Sequence, residues 1–383
     1  MEHYKRHVFI WKILRGLIAP WLKLKFAYTF DPVDVEGPCI ILPNHNTDWD
    51  PLLISISMPF HMYFVASEHI FRWGLLTRLI RWAIDPISRL KASTAADTAL
   101  TAIRRMRKGA SVCLFPEGNR SWDGVTQDIF PATGKLVRAS GATLITYRIE
   151  GGYFTCPRWA GNRLRRGRMQ GHTVGIYPPE QLKKMSPEQI NDIIRRDLHE
   201  DAYARQLDER IPFRGRALAE SLEHILCVCP VCGGISTMHS SGDLLTCSAC
   251  GLQVRYNEYG LLEGDAPFDT IRDWDQWQSG QLKALATEAG EKPIFSDDDV
   301  QLLEVLSGHV GKPIASGRIT LYRDRLECPG MVFPLPELKD LALHGPRNLD
   351  INAFGRHFEL KSRRVLCTRK YLTACSALLA DPV

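Results

Sequence analysis

Between Phe30 and about Arg214, short apolar runs alternate with segments of helical period. That alternation predicts an α/β layer fold, with strands making a sheet and helices covering it. Cys39 to Leu42 reads as the first strand, Pro51 to Met58 as a helix and His61 to Ala66 as a second strand. Thr94 to Lys108 has a helical pattern that closes at Gly109, and Ser111 to Phe115 reads as a buried strand. Thr143 to Ile149 and His172 to Ile176 are further strands. Ser186-Pro187-Glu188-Gln189 joins an N-cap, a proline at the first helical position and a capping-box glutamine, and opens a helix to about Arg205.

Residues 8–26 have a different character. On a helical wheel Ile10, Trp11, Leu14, Leu17, Ile18, Trp21 and Leu22 form one broad apolar face, with Lys5, Lys12, Arg15 and Lys23 opposite. A Trp-rich apolar face against a basic one suits a helix lying in a membrane interface, where the cations meet anionic headgroups. The same pattern also fits a helix packed on its own domain. Pro20 is expected to kink or split it.

Beyond about 215–225 the pattern changes again. Gly280 to Asp298 is polar and reads as a linker with some helix. Ser316 to Leu379 alternates as strands do, in Arg318 to Glu327, Met331 to Leu335, Phe358 to Lys361 and Arg364 to Thr368, before a closing helix from Tyr371. That tail loosely resembles a pleckstrin-homology-like sandwich; a dimerisation or packing role is the other reading.

The composition is that of a globular protein: 383 residues, 45% hydrophobic, 24% charged, net charge +5. The odd count of 11 cysteines includes lone residues in apolar runs, which points to free thiols in a reducing compartment. No stretch has the length and apolarity of a transmembrane helix, and the N-terminus lacks a secretory signal. The protein is expected inside the cell.

Candidate chemistry begins at Pro43-Asn44-His45-Asn46-Thr47-Asp48-Trp49-Asp50-Pro51. A histidine can take a hydroxyl proton near neutral pH if a carboxylate steadies its other ring nitrogen. Five residues along a regular helix turn about 140°, so His45 and Asp50 cannot share a helical face. Pro51 suits the first helical position, which makes Asp50 the expected N-cap and leaves His45 on a loop that can fold back. Asp48 is a competing partner, and a plain cap beside an ordinary loop histidine is the bland alternative. The strand ending at Phe115 runs into Pro116-Glu117-Gly118-Asn119-Arg120-Ser121. This sets polar groups at the carboxyl edge of the sheet, where open α/β folds keep ligands. Gly118 permits a tight turn, Arg120 can grip phosphate oxygens and Ser121 can add a hydrogen bond.

Asn44-His45-x4-Asp50, followed by Phe115-Pro116-Glu117-Gly118-x-Arg120-Ser121, resembles the glycerophospholipid acyltransferase family, whose second block is matched by Ile84-Asp85-Pro86-Ile87-Ser88-Arg89. The resemblance covers about residues 28–205. It implies that His45 is the general base, Asp50 its orienting partner, Glu117 and Gly118 the walls of the acceptor site, and Arg89 and Arg120 the phosphate grip. It implies no catalytic metal, and direct attack of a lysophospholipid hydroxyl on acyl-coenzyme A or acyl-carrier protein at the cytoplasmic face of the membrane. The family's fourth block usually carries a proline; Leu144 to Ile149 has none, and Arg148 and Glu150 are unusual there. Arg158, Arg163, Arg165, Arg166 and Arg168 with Trp159 read as a basic loop for anionic lipid or carrier, or as a merely solvated one.

Cys229-x2-Cys232-Gly and Cys247-x2-Cys250-Gly resemble a zinc ribbon, whose four thiolates make a closed, structural Zn2+ site. Cys227 reads as a bystander. No lysine or arginine lies between Cys227 and Gly251, so nucleic acid is not an expected partner. The organisation is then an amphipathic arm (1–28), an acyltransferase domain (29–215), a zinc-ribbon-like module (225–258), a linker (259–300) and a β-rich module (301–383). No oligomeric state is assigned. An acyltransferase for another lipid hydroxyl, and a non-catalytic membrane-surface scaffold built on the ribbon, fit the same residues.

Overall fold

The apolar runs fall where a sheet covered on both faces needs them. In the computed structural model, residues 3–67, 75–89, 95–161, 163–306, 311–344, 347–362 and 367–380 are described. They divide into two compact units, one of residues 1–157 and 164–214, the other of 158–163 and 215–383.

The first unit opens with α1 (Tyr4–Phe26), then β1 (Tyr28–Phe30), β2 (Cys39–Pro43), α2 (Asp50–Ser57), β3 (Met62–Ser67), α3 (Leu75–Ile84) and β4 (Ile87–Arg89). It continues with α4 (Ala95–Arg107), β5 (Ser111–Cys113), α5 (Thr133–Ser140), β6 (Thr143–Glu150), α6 (Gly152–Thr155), β7 (Met169–Tyr177), α7 (Pro179–Leu182), α8 (Pro187–Leu198) and α9 (Ala202–Glu209). The strand order is β1-β7-β6-β2-β5-β3-β4; only the β6–β7 pairing is antiparallel. The sheet is mixed and flanked by helices, as expected, with parallel pairings predominating. Every residue of β2 is buried, because Cys39 and Ile41 join a core with α1 and α2 while Ile40 and Leu42 join one with α4, α5 and α8. The capping box at Ser186 forms as read. The long helix expected to Arg205 instead ends at Leu198, and α9 starts afresh with the Asp201 side chain capping Tyr203 and Ala204.

The apolar face read along the N-terminal arm is divided. Trp11, Leu22 and Phe26 are buried against the unit, while Phe9, Ile13, Leu14, Leu17, Trp21 and Leu24 are exposed, Leu17 at 71%. Facing residues at a spacing of about 100° explains this: the helix has one stripe docked and a second, nearly opposite, in solvent. It runs through Pro20 as one element.

The second unit holds a four-stranded antiparallel ribbon, β8 (Met238–Ser241), β9 (Leu244–Cys247), β10 (Gln253–Tyr256) and β11 (Leu262–Gly264). The segment read as a linker with some helix holds α10 (Ile271–Glu288), which buries Trp274, Gln278, Leu282 and Ala286. Trp274 Nε1 donates to the Val228 carbonyl at 2.9 Å, so the helix is fastened to the ribbon. The β-rich tail begins earlier than read: β12 (Phe295–Val305), β13 (Gly311–Leu321), β14 (Arg325–Cys328), β15 (Met331–Pro334), β16 (Leu338–His344), β17 (Asn348–Ala353) and β18 (Arg356–Ser362) make one antiparallel sheet, closed by α11 (Thr368–Ala380). Arg318 to Glu327 is two strands around a turn. Most of the strand read over 364–368 lies outside the described residues, and Thr368 already starts α11.

The arginine run is not one exposed loop. Arg158 is buried and donates to the Leu343 carbonyl at 2.7 Å, and Arg165 is buried in the first unit. Arg163 lies 3.8 Å from Glu220 and Arg168 2.9 Å from Glu209. The chain passes from one unit to the other and back between 157 and 164, which takes these guanidinium groups into separate surroundings.

Candidate active site

Adjacent parallel strands deliver their following loops to the same sheet edge. β2 and β5 pair directly, Ile41 against Cys113, so the His45 loop and the Glu117 turn leave side by side. Pro116 and Glu117 occupy the middle of a turn in which Gly118 N donates to the Phe115 carbonyl at 3.1 Å. Gly118 has φ +71°, a conformation glycine adopts without cost.

His45 Nδ1 lies 2.9 Å from Asp50 Oδ2. The same oxygen accepts the amides of Asn46 (2.7 Å) and Thr47 (2.8 Å), and Asp50 Oδ1 accepts the Thr47 hydroxyl at 2.6 Å. An acceptor so occupied requires Nδ1 to be the donor, which leaves Nε2 with its lone pair. The expected pairing is therefore present, by a different route. Trp49 takes the cap position, and Asp50, first residue of α2, turns its buried carboxylate back onto the loop. The ring stacks on Phe115 at a centroid distance of 4.1 Å and keeps 19% side-chain exposure.

Asp48, the competing partner, faces away: its Oδ1 is 3.3 Å from Arg120 Nε. Glu117 is buried and uses both oxygens on backbone, Oε1 on the His45 amide and Oε2 on the Gln127 amide, each at 2.7 Å. Burial pushes its carboxyl up to about 8, against the pull of the Gln127 and His45 amides. Ser121 is also buried; its amide donates to the His45 carbonyl (3.0 Å) and its Oγ accepts from Gly124 N (2.9 Å). Glu117 and the Ser121 amide, at positions read as substrate contacts, also tie the two loops together. Arg89 ends β4, paired with Ser67; its side chain lies outside the described residues.

Beneath the loop lies a network that no motif pointed to. Asn44 Nδ2 and Asn46 Nδ2 both donate to Glu200 Oε2 (3.0 and 3.2 Å) and to the Ile149 carbonyl (3.0 and 3.1 Å). Asn44 Oδ1 accepts the Ile149 amide at 2.7 Å, and Arg205 pairs with Glu200. Burial raises the Glu200 carboxyl, with Arg205 opposing. The two asparagines flanking His45 were the available signal.

These residues lie in a segment that similarity also marks. Residues 25–150 match the profile of the family described as Acyltransferase. About a third of the chain is therefore similar to acyltransferases. The acyltransferase domain is 28% identical over 131 residues to the chloroplastic 1-acyl-sn-glycerol-3-phosphate acyltransferase BAT2 of Brassica napus, over 32% of this chain and 37% of that one. It is 26% identical over 131 residues to the 1-acyl-sn-glycerol-3-phosphate acyltransferase of Borreliella burgdorferi, over 33% and 52%. The chain thus spans between a third and about half the length of these relatives. The Thermotoga maritima acyltransferase PlsC superposes with TM-score 0.40 at 18% identity, over 52% of this chain and 79% of that one.

The second unit can hold a metal. The sulfurs of Cys229, Cys232, Cys247 and Cys250 all lie within 4.8 Å of one another, with Cys229–Cys250 at 3.6 Å and Cys232–Cys247 at 3.8 Å. Four sulfurs ~2.3 Å from a tetrahedral zinc would stand ~3.8 Å apart. Each knuckle closes alike, Gly233 N on the Cys229 carbonyl and Gly251 N on the Cys247 carbonyl, both at 3.0 Å. The donor set and spacing fit zinc.

Proposed function

We propose that the chain transfers a fatty acyl group from a thioester, acyl-coenzyme A or acyl-carrier protein, to the free hydroxyl of lysophosphatidic acid or a similar lysophospholipid. The observation that carries this reading is the His45–Asp50 pair, 2.9 Å apart on a loop tied at 2.7 Å to Glu117 of the adjacent turn. The names of the relatives agree with the substrate class.

In this mechanism His45 Nε2 takes the hydroxyl proton as the acceptor oxygen bonds to the thioester carbonyl carbon. Asp50 holds the imidazolium that forms. The tetrahedral intermediate expels the thiolate, and His45 returns the proton to it. Arg120, beside the loop, is the phosphate-binding side chain of the reading, with Arg89 as its second cation.

The exposed stripe of α1, flanked by Lys5, Lys12 and Lys23, supports a peripheral seat on the cytoplasmic face of a membrane. Among the described residues no helix is long and apolar enough to cross one. Zinc in the ribbon is assigned a structural role, and the C-terminal sheet with its closing helix a pleckstrin-homology-like one. The test is His45→Ala against a panel of lysolipid acceptors. Activity lost on every acceptor with melting unchanged supports the base; activity equal to wild type rejects it, and the panel itself ranks the acceptors.

A further inference from the structure

The first unit has a second charged cleft, far from His45. His45 and Glu117 follow the carboxyl ends of β2 and β5, whereas this cleft, of about 330 Å3, is lined by Asp85 and Lys108, which precede the amino ends of β4 and β5. α1 contributes His7 and the residue before the helix, His3; the end of α4 contributes Arg104 and Arg105, with Lys108 just beyond.

One cation there has a structural task. Arg105 pairs with Asp85 at 2.8 Å, donates to the Asp85 carbonyl at 2.7 Å and stands 4.1 Å over the Tyr63 ring. The structure pairs neither Arg104 nor Lys108, both exposed, with a carboxylate among the described residues. Three cations therefore converge on a cleft that, among the described residues, contains one carboxylate, Asp85. Complementing the dipole at the end of α4 accounts for some basic character, but not for a concave site shared with α1.

The helices next to the cleft residues also carry exposed apolar side chains. Arg6, next to His7, donates to the Trp82 carbonyl at 3.0 Å and lies 5.0 Å over its ring. Trp82 is 52% exposed, Leu79 of the same helix 55% and Phe9 of α1 64%. Exposed aromatic and apolar side chains on α1 and α3, together with cations that no described carboxylate pairs, are the chemistry of a headgroup site at a bilayer interface, and a soluble anion has no use for the apolar groups.

We infer that this cleft binds the phosphomonoester headgroup of an anionic lipid in the membrane on which α1 rests, as a site separate from acyl transfer. It shares only the seat of α1 with the proposed function, and it is read by binding, not by turnover.

The test is co-sedimentation of the full chain with phosphatidylcholine vesicles, plain or doped with phosphatidate or with phosphatidylglycerol. At ~1 kcal/mol per basic residue near an anionic surface, each cation is worth about fivefold, so Arg104→Ala/Lys108→Ala should bind phosphatidate vesicles about 30-fold more weakly. Binding to plain vesicles should be unchanged. Lys183→Ala/Lys184→Ala, an equal loss of charge elsewhere on the unit, should leave phosphatidate binding nearly intact, and Arg104→Lys/Lys108→Arg should restore most of it. Equal losses for the two alanine pairs would reduce the effect to diffuse attraction and overturn the site. So would an equal loss on phosphatidylglycerol, which carries only a phosphodiester. Displacement by inorganic phosphate at the concentration of the lipid would assign the cleft to a soluble anion instead.

Discussion

Asp50→Asn separates the charge of the dyad from its architecture. The wild-type Oδ2 accepts from His45 Nδ1, Asn46 N and Thr47 N within 2.9 Å, while Oδ1 accepts only the Thr47 hydroxyl. An asparagine can set its oxygen at the Oδ2 position and keep those three bonds, because the Thr47 hydroxyl can turn to accept from the new amide. What disappears is the negative charge beside the imidazolium. General acid–base catalysis by a positioned group is worth ~10²–10⁴ in rate, so kcat should fall about 10³-fold, or ~4 kcal/mol. KM for the acceptor should move less than about threefold, the mark of an interaction made chiefly in the transition state. Asp50→Ala provides the contrast. It strands the buried amides of Asn46 and Thr47, each costing ~1–3 kcal/mol, and should lower the melting temperature as well as the rate. Steady-state kinetics with a thioester donor, paired with thermal unfolding, reads both. Asp50→Asn turning over near the wild-type rate would refute the reasoning, as would a rate loss that only follows the stability loss of the alanine variant.

Acid stability should turn on His61, where burial, with His7 and Arg105 nearby, brings the ring from 6.5 down to about 4. A folded value below the unfolded one means that His61's contribution is full above pH 6.5 and is lost as pH falls toward 4, about 3 kcal/mol in all. Urea midpoints for His61→Phe should lack that part of the decline between those limits; curves parallel to wild type would show that His61 does not cause it. Zinc should be stoichiometric in metal analysis, and removing it with a strong chelator, or making Cys247→Ser, should expose the ribbon amides 227–256 to hydrogen exchange. Exchange unchanged by metal removal would leave the four thiols without a structural ion.

The difference between what the sequence disclosed and what it hid is one of range. His45 and Asp50 are five residues apart, so the turn constraint from Pro51 sufficed to bring them together. Even so, Trp49 rather than Asp50 became the cap, because the carboxylate gains more from two loop amides and an imidazole than from the first turn of α2. The strands were legible because residues buried on both sheet faces must be apolar whatever lies beside them. Glu117 was legible as a residue, but its partners were not. Its oxygens meet the amides of His45 and Gln127, and a main-chain amide carries no residue type for a pattern to find. Glu200 is 156 residues from Asn44 and joins it only once β6 and the end of α8 are in place. The arginine run misled for the related reason that composition counts charge without knowing surroundings: Arg158 and Arg165 are buried, seven residues apart in sequence and in different units. α10 hid its period behind polar residues at Asp275 and Gln278 that are themselves buried, Asp275 by pairing with Arg369 and Gln278 by accepting the amides of Cys227 and Val228. Each of these misreadings has one physical root. A polar side chain satisfied by distant partners behaves as core, and local periodicity assigns it to solvent.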